Sequence, residues 1–197
     1  MKIFFDTEFY ENGKTIDLIS IGMVREDGKT YYAEVISADT ICRNDPWLVE
    51  NVASNLTLPY SERKHPYTIA KEIVEFVGDS PEFWAYYADY DWVVFCWLFG
   101  KMIDLPDGFP MYCFDIKQRM DKMFHDLWWV ISFKNGDNRL IFGSPNTDRY
   151  INQIVNSEEE MIQVLKANID YPKNTGIHNA LHDARNARDL NHYLDIL

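Results

Sequence analysis

Positive charge is scarce in this chain. Its 197 residues carry 19 lysines and arginines against 31 aspartates and glutamates, a formal net charge of -12. A broad grip on a nucleic-acid duplex needs several cations set against phosphates, so the charge argues against that mode of binding. A short groove in which bound metal ions supply the local positive charge is not. Cysteine is scarce too. Cys42, Cys96 and Cys113 are odd in number, widely spaced, and no pair has zinc-ligand separation. They read as free thiols in a reducing compartment, and a cytoplasmic location is expected. Long apolar runs are missing: the longest, Trp92 to Phe99, is far short of the ~20 residues of a membrane span, so no membrane is expected. An acid as early as Asp6 leaves no room for the apolar stretch of a signal peptide. Internal repeats, low-complexity tracts and linkers are absent as well.

The hydrophobic fraction of 47% is enough for a core of ordinary size. The length fits a single domain, residues 1–197, with an insertion or loop region around 128–150 that is rich in Gly, Asn and aromatics. The aromatic content of 15% is high, and core packing is the expected use for most of these rings.

Lys2 to Phe5 reads as a short buried strand ending at Asp6. The Glu11-Asn12-Gly13-Lys14 and Glu26-Asp27-Gly28-Lys29 turns frame strands at Ile16 to Val24 and Thr30 to Ile36, an antiparallel meander of three strands. Asp39 to Arg63 reads as loop with short helix. Thr68 to Val77 has helical spacing and stops at Gly78. A strand at Glu82 to Ala88, a helix at Tyr90 to Met102, a strand at Phe109 to Phe114 and a helix at Asp115 to Leu127 follow. Ser157-Glu158-Glu159-Glu160 fits a capping box opening a helix to about Asn168. Leu181 to Leu197 is a final amphipathic helix. The expected fold is an α/β mixed sheet, a three-strand meander plus parallel strands, with helices on its faces.

Chemistry points to a few dispersed residues. Asp6 and Glu8 are one residue apart, and in extended chain positions i and i+2 share a face. Two carboxylates held together repel unless a cation or proton compensates. Asp91 follows a strand and opens a helix, where Asp89 is the expected cap. His178 and Asp183 bracket the start of the final helix. If Asn179 caps it, His178 lies just before the helix and Asp183 in its first turn. A neutral imidazole so placed can accept a proton from water. His182 adjoins Asp183 but lies within the helix, with a different direction. Singly, each of these residues has a plain structural reading: exposed loop acids, a first-turn acid, a surface histidine.

Together and in this order they resemble the DEDDh 3′-5′ exonucleases, a superfamily with a ribonuclease-H-like fold. The segments Phe4-Phe5-Asp6-Thr7-Glu8-Phe9, Ile16 to Gly22, Trp84-Ala85-Tyr86-Tyr87-Ala88 leading to Tyr90-Asp91, and His178-Asn179-Ala180-Leu181 are similar to the RNase AS family of exoribonucleases, which prefer adenylate-rich RNA. The resemblance covers Lys2 to about Met102 and the last twenty or so residues, and is thin over 109–171. It implies that Asp6, Glu8, Asp91 and Asp183 hold two Mg2+ ions, with Mn2+ as a substitute, about 3.5–4 Å apart on the scissile phosphate. It implies His178 as general base, single-stranded RNA 3′ ends as the partner, nucleoside 5′-monophosphates as products, and a homodimer. Thr7, Phe9, Asn179 and Arg185 are the candidates for substrate contact, and Trp128-Trp129 for base stacking. A 3′-5′ exonuclease acting on DNA and a catalytically silent nucleic-acid-binding module on the same fold stand as alternatives.

Overall fold

In a computed structural model the chain is described over residues 1–134, 139–142, 151–168 and 178–196. It divides into two compact units, Met1–Ile116 with Lys173–His192, and Lys117–Pro172 with Tyr193–Leu197.

The first unit is built on a five-stranded sheet of order β3-β2-β1-β4-β5. The strands are β1 (Lys2–Glu11), β2 (Ile16–Arg25), β3 (Thr30–Glu34), β4 (Glu82–Ala85) and β5 (Phe114–Asp115). β1, β2 and β3 pair antiparallel, while β4 runs parallel to both β1 and β5. The meander is therefore as expected. Its turns follow from chemistry: Gly13 and Gly28 take positive φ, and Asn12 Oδ1 accepts the amides of Lys14 and Thr15. Helices α1 (Ala38–Cys42), α2 (Pro46–Asn51), α3 (Pro66–Val77) and α4 (Ala88–Trp97) complete the N-terminal part.

β1 differs from expectation in length. It does not stop at Asp6 but runs to Glu11, because β2 supplies partners along its whole length: Asp6 sits opposite Gly22 and Glu8 opposite Ser20, with a register shift after Glu8. On its other edge β4 pairs only with Lys2 to Phe4. Asp6 thus lies mid-strand in β1, just beyond the last residue that pairs with β4 and so past the carboxyl end of that parallel neighbour. In open α/β sheets this is where ligands bind.

The two faces of β1 divide the labour. Ile3 and Phe5 enter a fully buried core with Ile19, Ile21 and Met23 of β2, Ile69 and Ile73 of α3, and Phe95 of α4. Phe5, Phe83 and Phe95 pack as tilted and edge-on pairs, so many of the abundant aromatics serve the core. Phe4 is buried on the opposite face, against His192 of helix α7 (Ala180–Ile196).

Other boundaries moved as well. β4 ends at Ala85 and α4 begins at Ala88, and β5 is only Phe114–Asp115. In the second unit α5 (Ile116–Lys134) continues through the first part of the expected insertion, and β6 (Arg139–Phe142) and β7 (Ile151–Ile154) form an antiparallel hairpin. Helix α6 (Glu158–Asn168) starts as its sequence predicts, with Ser157 Oγ accepting the Glu160 amide. The rest of the 128–150 expectation, at 135–138 and 143–150, and the Trp129 side chain lie outside the described residues.

Candidate active site

β1 and α7 bring three carboxylates together. Oxygens of Asp6, Glu8 and Asp183 all lie within 4.8 Å of one another. Asp6 and Glu8 share the Phe4 face of β1, as alternation requires. Asp183 reaches them because Gly22, opposite Asp6, lets the first turn of α7 rest on the main chain of β2. Isolated Gly inside a strand signals such a close approach, and that signal was present in the Ile19-Ser20-Ile21-Gly22 run.

Asp91 stands outside that group of three but is fastened beside it. Past the end of β4, both the amide and the hydroxyl of Thr7 donate to Asp91 Oδ1, at 2.8 and 2.6 Å. Asp91 is 6% exposed. The start of α4 is set by residues that local reasoning does not reach. Asp89 is not the cap. The N-cap position is Tyr87, held at φ 60 and ψ 51, a left-handed conformation unusual for a bulky residue. Asp115, from β5, accepts the Ala88 amide at 2.9 Å.

The four acids share one electrostatic problem. Burial pushes Asp6 well above the usual carboxylate range, and the charges of Asp91, Glu8 and Asp183 push it further. Glu8 is pushed up to about 8, by burial first and then by Asp183 and Asp91. Burial raises Asp91 to about 6, against the lowering effect of the Thr7 hydrogen bonds. Asp183 is raised by burial, while donors from Asn179 and Asn186 and the neighbouring His182 and His178 restrain it. Carboxylates at this density, with Asp91 buried and Asp6, Glu8 and Asp183 half-buried, favour protons or cations.

The sequence candidates for substrate contact occupy varied positions. Asn179 caps α7: its Oδ1 accepts the His182 amide at 3.3 Å, and its Nδ2 donates to Asn55 O at 3.1 Å and to Tyr32 Oη at 3.4 Å. His178 is exposed just before the helix, its ring against the edge of Trp47 with centroids 4.9 Å apart. Thr7 is buried and engaged with Asp91. Phe9 is half-buried, tilted against Tyr90 on α4 at 5.9 Å. Arg185 is exposed on α7, and Trp128 is half-buried on α5. Trp47, Gly22, Asp115 and Tyr32 are the neighbours that sequence reasoning did not single out.

Fold and site together define an α/β protein with a carboxylate-lined centre on the middle of β1, just past its parallel pairing with β4. Residues 1–194 match the model of the Rv2179c-like 3′-5′ exoribonuclease domain. The chain belongs to that family, and so to the 3′-5′ exonucleases. It is 39% identical over 123 residues to the 3′-5′ exoribonuclease Rv2179c of Mycobacterium tuberculosis strain H37Rv, across 60% of this chain and 73% of that protein. The same figures hold for the 3′-5′ exoribonuclease MT2234.1 of strain CDC 1551. No described helix is long and apolar enough to cross a membrane.

Proposed function

We propose that the chain is a metal-dependent 3′-5′ exoribonuclease on a ribonuclease-H-like sheet, removing nucleoside 5′-monophosphates from single-stranded RNA. The observation that carries the reading is the convergence of Asp6, Glu8 and Asp183 oxygens within 4.8 Å, with Asp91 beside them. The donor set fits Mg2+ or Mn2+: all oxygen, all anionic, and strained toward protonation in the absence of positive charge. When bound, two such ions supply Lewis acidity to the attacking water and to the departing 3′-oxygen.

The chain's own residues do the rest. Asp6 and Glu8 are held rigidly by β1, so the geometry they impose is set by the sheet. Thr7 fixes Asp91 through Oδ1, which leaves Oδ2 as the ligand atom we assign. His178, exposed and outside the carboxylate cluster, accepts the proton of the attacking water. Exposed Arg185 meets phosphate and the half-buried Phe9 ring meets the terminal nucleotide.

The test is direct. Homopolymer RNA and DNA oligonucleotides labelled at either end are digested side by side with Mg2+. The expected result is stepwise loss from the 3′ end of RNA, fastest on poly-A, abolished by EDTA and restored by Mg2+ or Mn2+. Equal digestion of poly-dT and poly-A would remove the adenylate-RNA reading. Activity that survives EDTA would remove the metal.

A further inference from the structure

Asp183 and His178 flank the start of α7, so whatever fixes that start fixes half of the site. Packing on Gly22 sets how closely the helix meets the sheet, at Ala180 and Leu181. His178 lies before that contact, separated from it by the cap residue Asn179. Asn179 is anchored by its side chain, whose Nδ2 donates to Tyr32 Oη and to Asn55 O, while its backbone N–H donates to Asp183 Oδ2 at 3.3 Å.

Both anchors trace to one buried acid. Glu34, at the end of β3, is fully buried. Its Oε1 accepts from Tyr32 Oη at 2.9 Å, from the Thr57 amide at 2.6 Å and from the Leu58 amide at 3.0 Å. Its Oε2 accepts from Arg63 Nε at 2.9 Å, and Arg63 also pairs with Asp39 at 2.7 Å. A carboxylate in such a place survives only with this degree of satisfaction. Through Thr57 and Leu58 it ties down the segment that presents the Asn55 carbonyl. Through Tyr32 it orients a hydroxyl: the proton goes to Glu34, and the oxygen is left to accept from Asn179, with the Ser20 and Thr57 side chains also acting on it. Burial and the Glu34 charge push the phenol above its ordinary range, so that proton stays in place.

We propose that Tyr32 and Glu34 are positioning residues for the candidate active site, acting through Asn179 to set the entry of α7 and with it His178 and Asp183. This rests on the catalytic reading above for its consequence in rate, but the mechanical coupling stands without it. The network lies on the α7 side of the sheet and touches none of the carboxylates Asp6, Glu8 and Asp91 through its hydrogen bonds.

Tyr32→Phe keeps the ring and removes the hydroxyl. Asn179→Ser keeps a helix cap, since Ser caps about as well as Asn, and removes the amide donor. In the metal-free protein, Tyr32→Phe is expected to speed hydrogen exchange of the His182 and Asp183 amides by about tenfold or more, with Ile21 and Phe83 unchanged. In the Mg2+-loaded enzyme kcat is expected to fall by about 10- to 100-fold with KM shifted by less than about threefold, and the half-saturating Mn2+ concentration is expected to rise, because Asp183 belongs to the carboxylate group that α7 carries. The double variant is expected to be no worse than Asn179→Ser alone, because both lie on one chain of contacts. Unchanged exchange at His182 and Asp183 would overturn the proposal. So would faster exchange spread evenly over the whole sheet, which marks a role in stability alone. Additive losses in the double variant would overturn it too. If the unaltered chain digests no labelled oligonucleotide, the catalytic reading fails while the exchange result still decides the coupling.

Discussion

Gly22 on β2 and Leu181 on α7 meet main chain to main chain: a Cβ built on Gly22 would fall far inside 3.0 Å of the Leu181 nitrogen and Cα. The atoms in the way are backbone, so no rotamer change relieves the clash. Because Gly22 is paired with Asp6, the contact places the first turn of α7 directly above the acid pair. Gly22→Ala is expected to cost about 3 kcal/mol or more, at the upper end for overpacking. The displaced helix carries Asp183 away from Asp6 and Glu8, so Mn2+ affinity should fall by about tenfold or more in whatever protein remains folded. Thermal unfolding and Mn2+ titration by electron paramagnetic resonance check both. A variant with unchanged melting and metal affinity would mean that α7 does not sit on Gly22.

Asp6→Asn separates stability from activity. Asp6 is raised well above the usual range by burial and by three neighbouring carboxylates, so its charge is a burden on the metal-free fold. Removing that charge while keeping the shape is expected to leave the melting temperature in EDTA at about pH 8 unchanged or higher. Exonuclease activity is expected to fall by about a thousandfold or more, since a ligand is lost. A lower melting temperature with activity retained would show that Asp6 is a structural acid.

His178→Ala probes a group that lies outside the cluster. The ring is exposed and contacts Trp47, and it is absent from the group of carboxylate oxygens. Loss of a general base typically costs about 10²–10⁴ in rate. Mn2+ affinity should be kept. A parallel loss of Mn2+ binding would make His178 a ligand instead.

These expectations depend on residues that were legible to different degrees. Asp6 and Glu8 could be placed on one face because strand alternation is a local rule. Asn179 could be named as the α7 cap, and Ser157 as the α6 cap, because capping is local too. The extension of β1 to Glu11 depends on pairing with β2 beyond a turn, and a strand with an acid in its middle does not advertise itself. At α4 the nearby Asp89 was the natural cap, yet the Ala88 amide is taken by Asp115, 27 residues away. Glu34 lies inside the expected third strand and nothing local marks it, because its partners come from 23 to 29 residues downstream as well as from Tyr32. The helix through Trp128 was hidden because aromatics and polar residues there lack clear periodicity.

The protonation of the cluster gives a final prediction with a definite sign. Glu8 rises from an ordinary value of 4.5 to about 8, and Asp91 from 3.8 to about 6, with Asp6 and Asp183 raised as well. For a carboxyl whose value is higher in the folded state, the folded protein holds the proton more tightly than the unfolded chain. The stabilisation is complete below the unfolded value and is lost as pH rises toward the folded one. Metal-free protein is therefore expected to melt at lower temperature at about pH 8 than at about pH 5, the opposite of a domain whose acids are salt-bridged. Divalent cations should reverse the trend, because they bind the deprotonated carboxylates and displace the protons. With excess Mg2+ the melting temperature should stay level or rise across the same interval, and calorimetric Mn2+ binding at about pH 6.5 should release protons to buffer. Melting curves in EDTA and in Mg2+ over this range decide the matter. A melting temperature that climbs with pH in EDTA would mean that the four acids are already compensated within the protein, and that no cation is needed to hold them together.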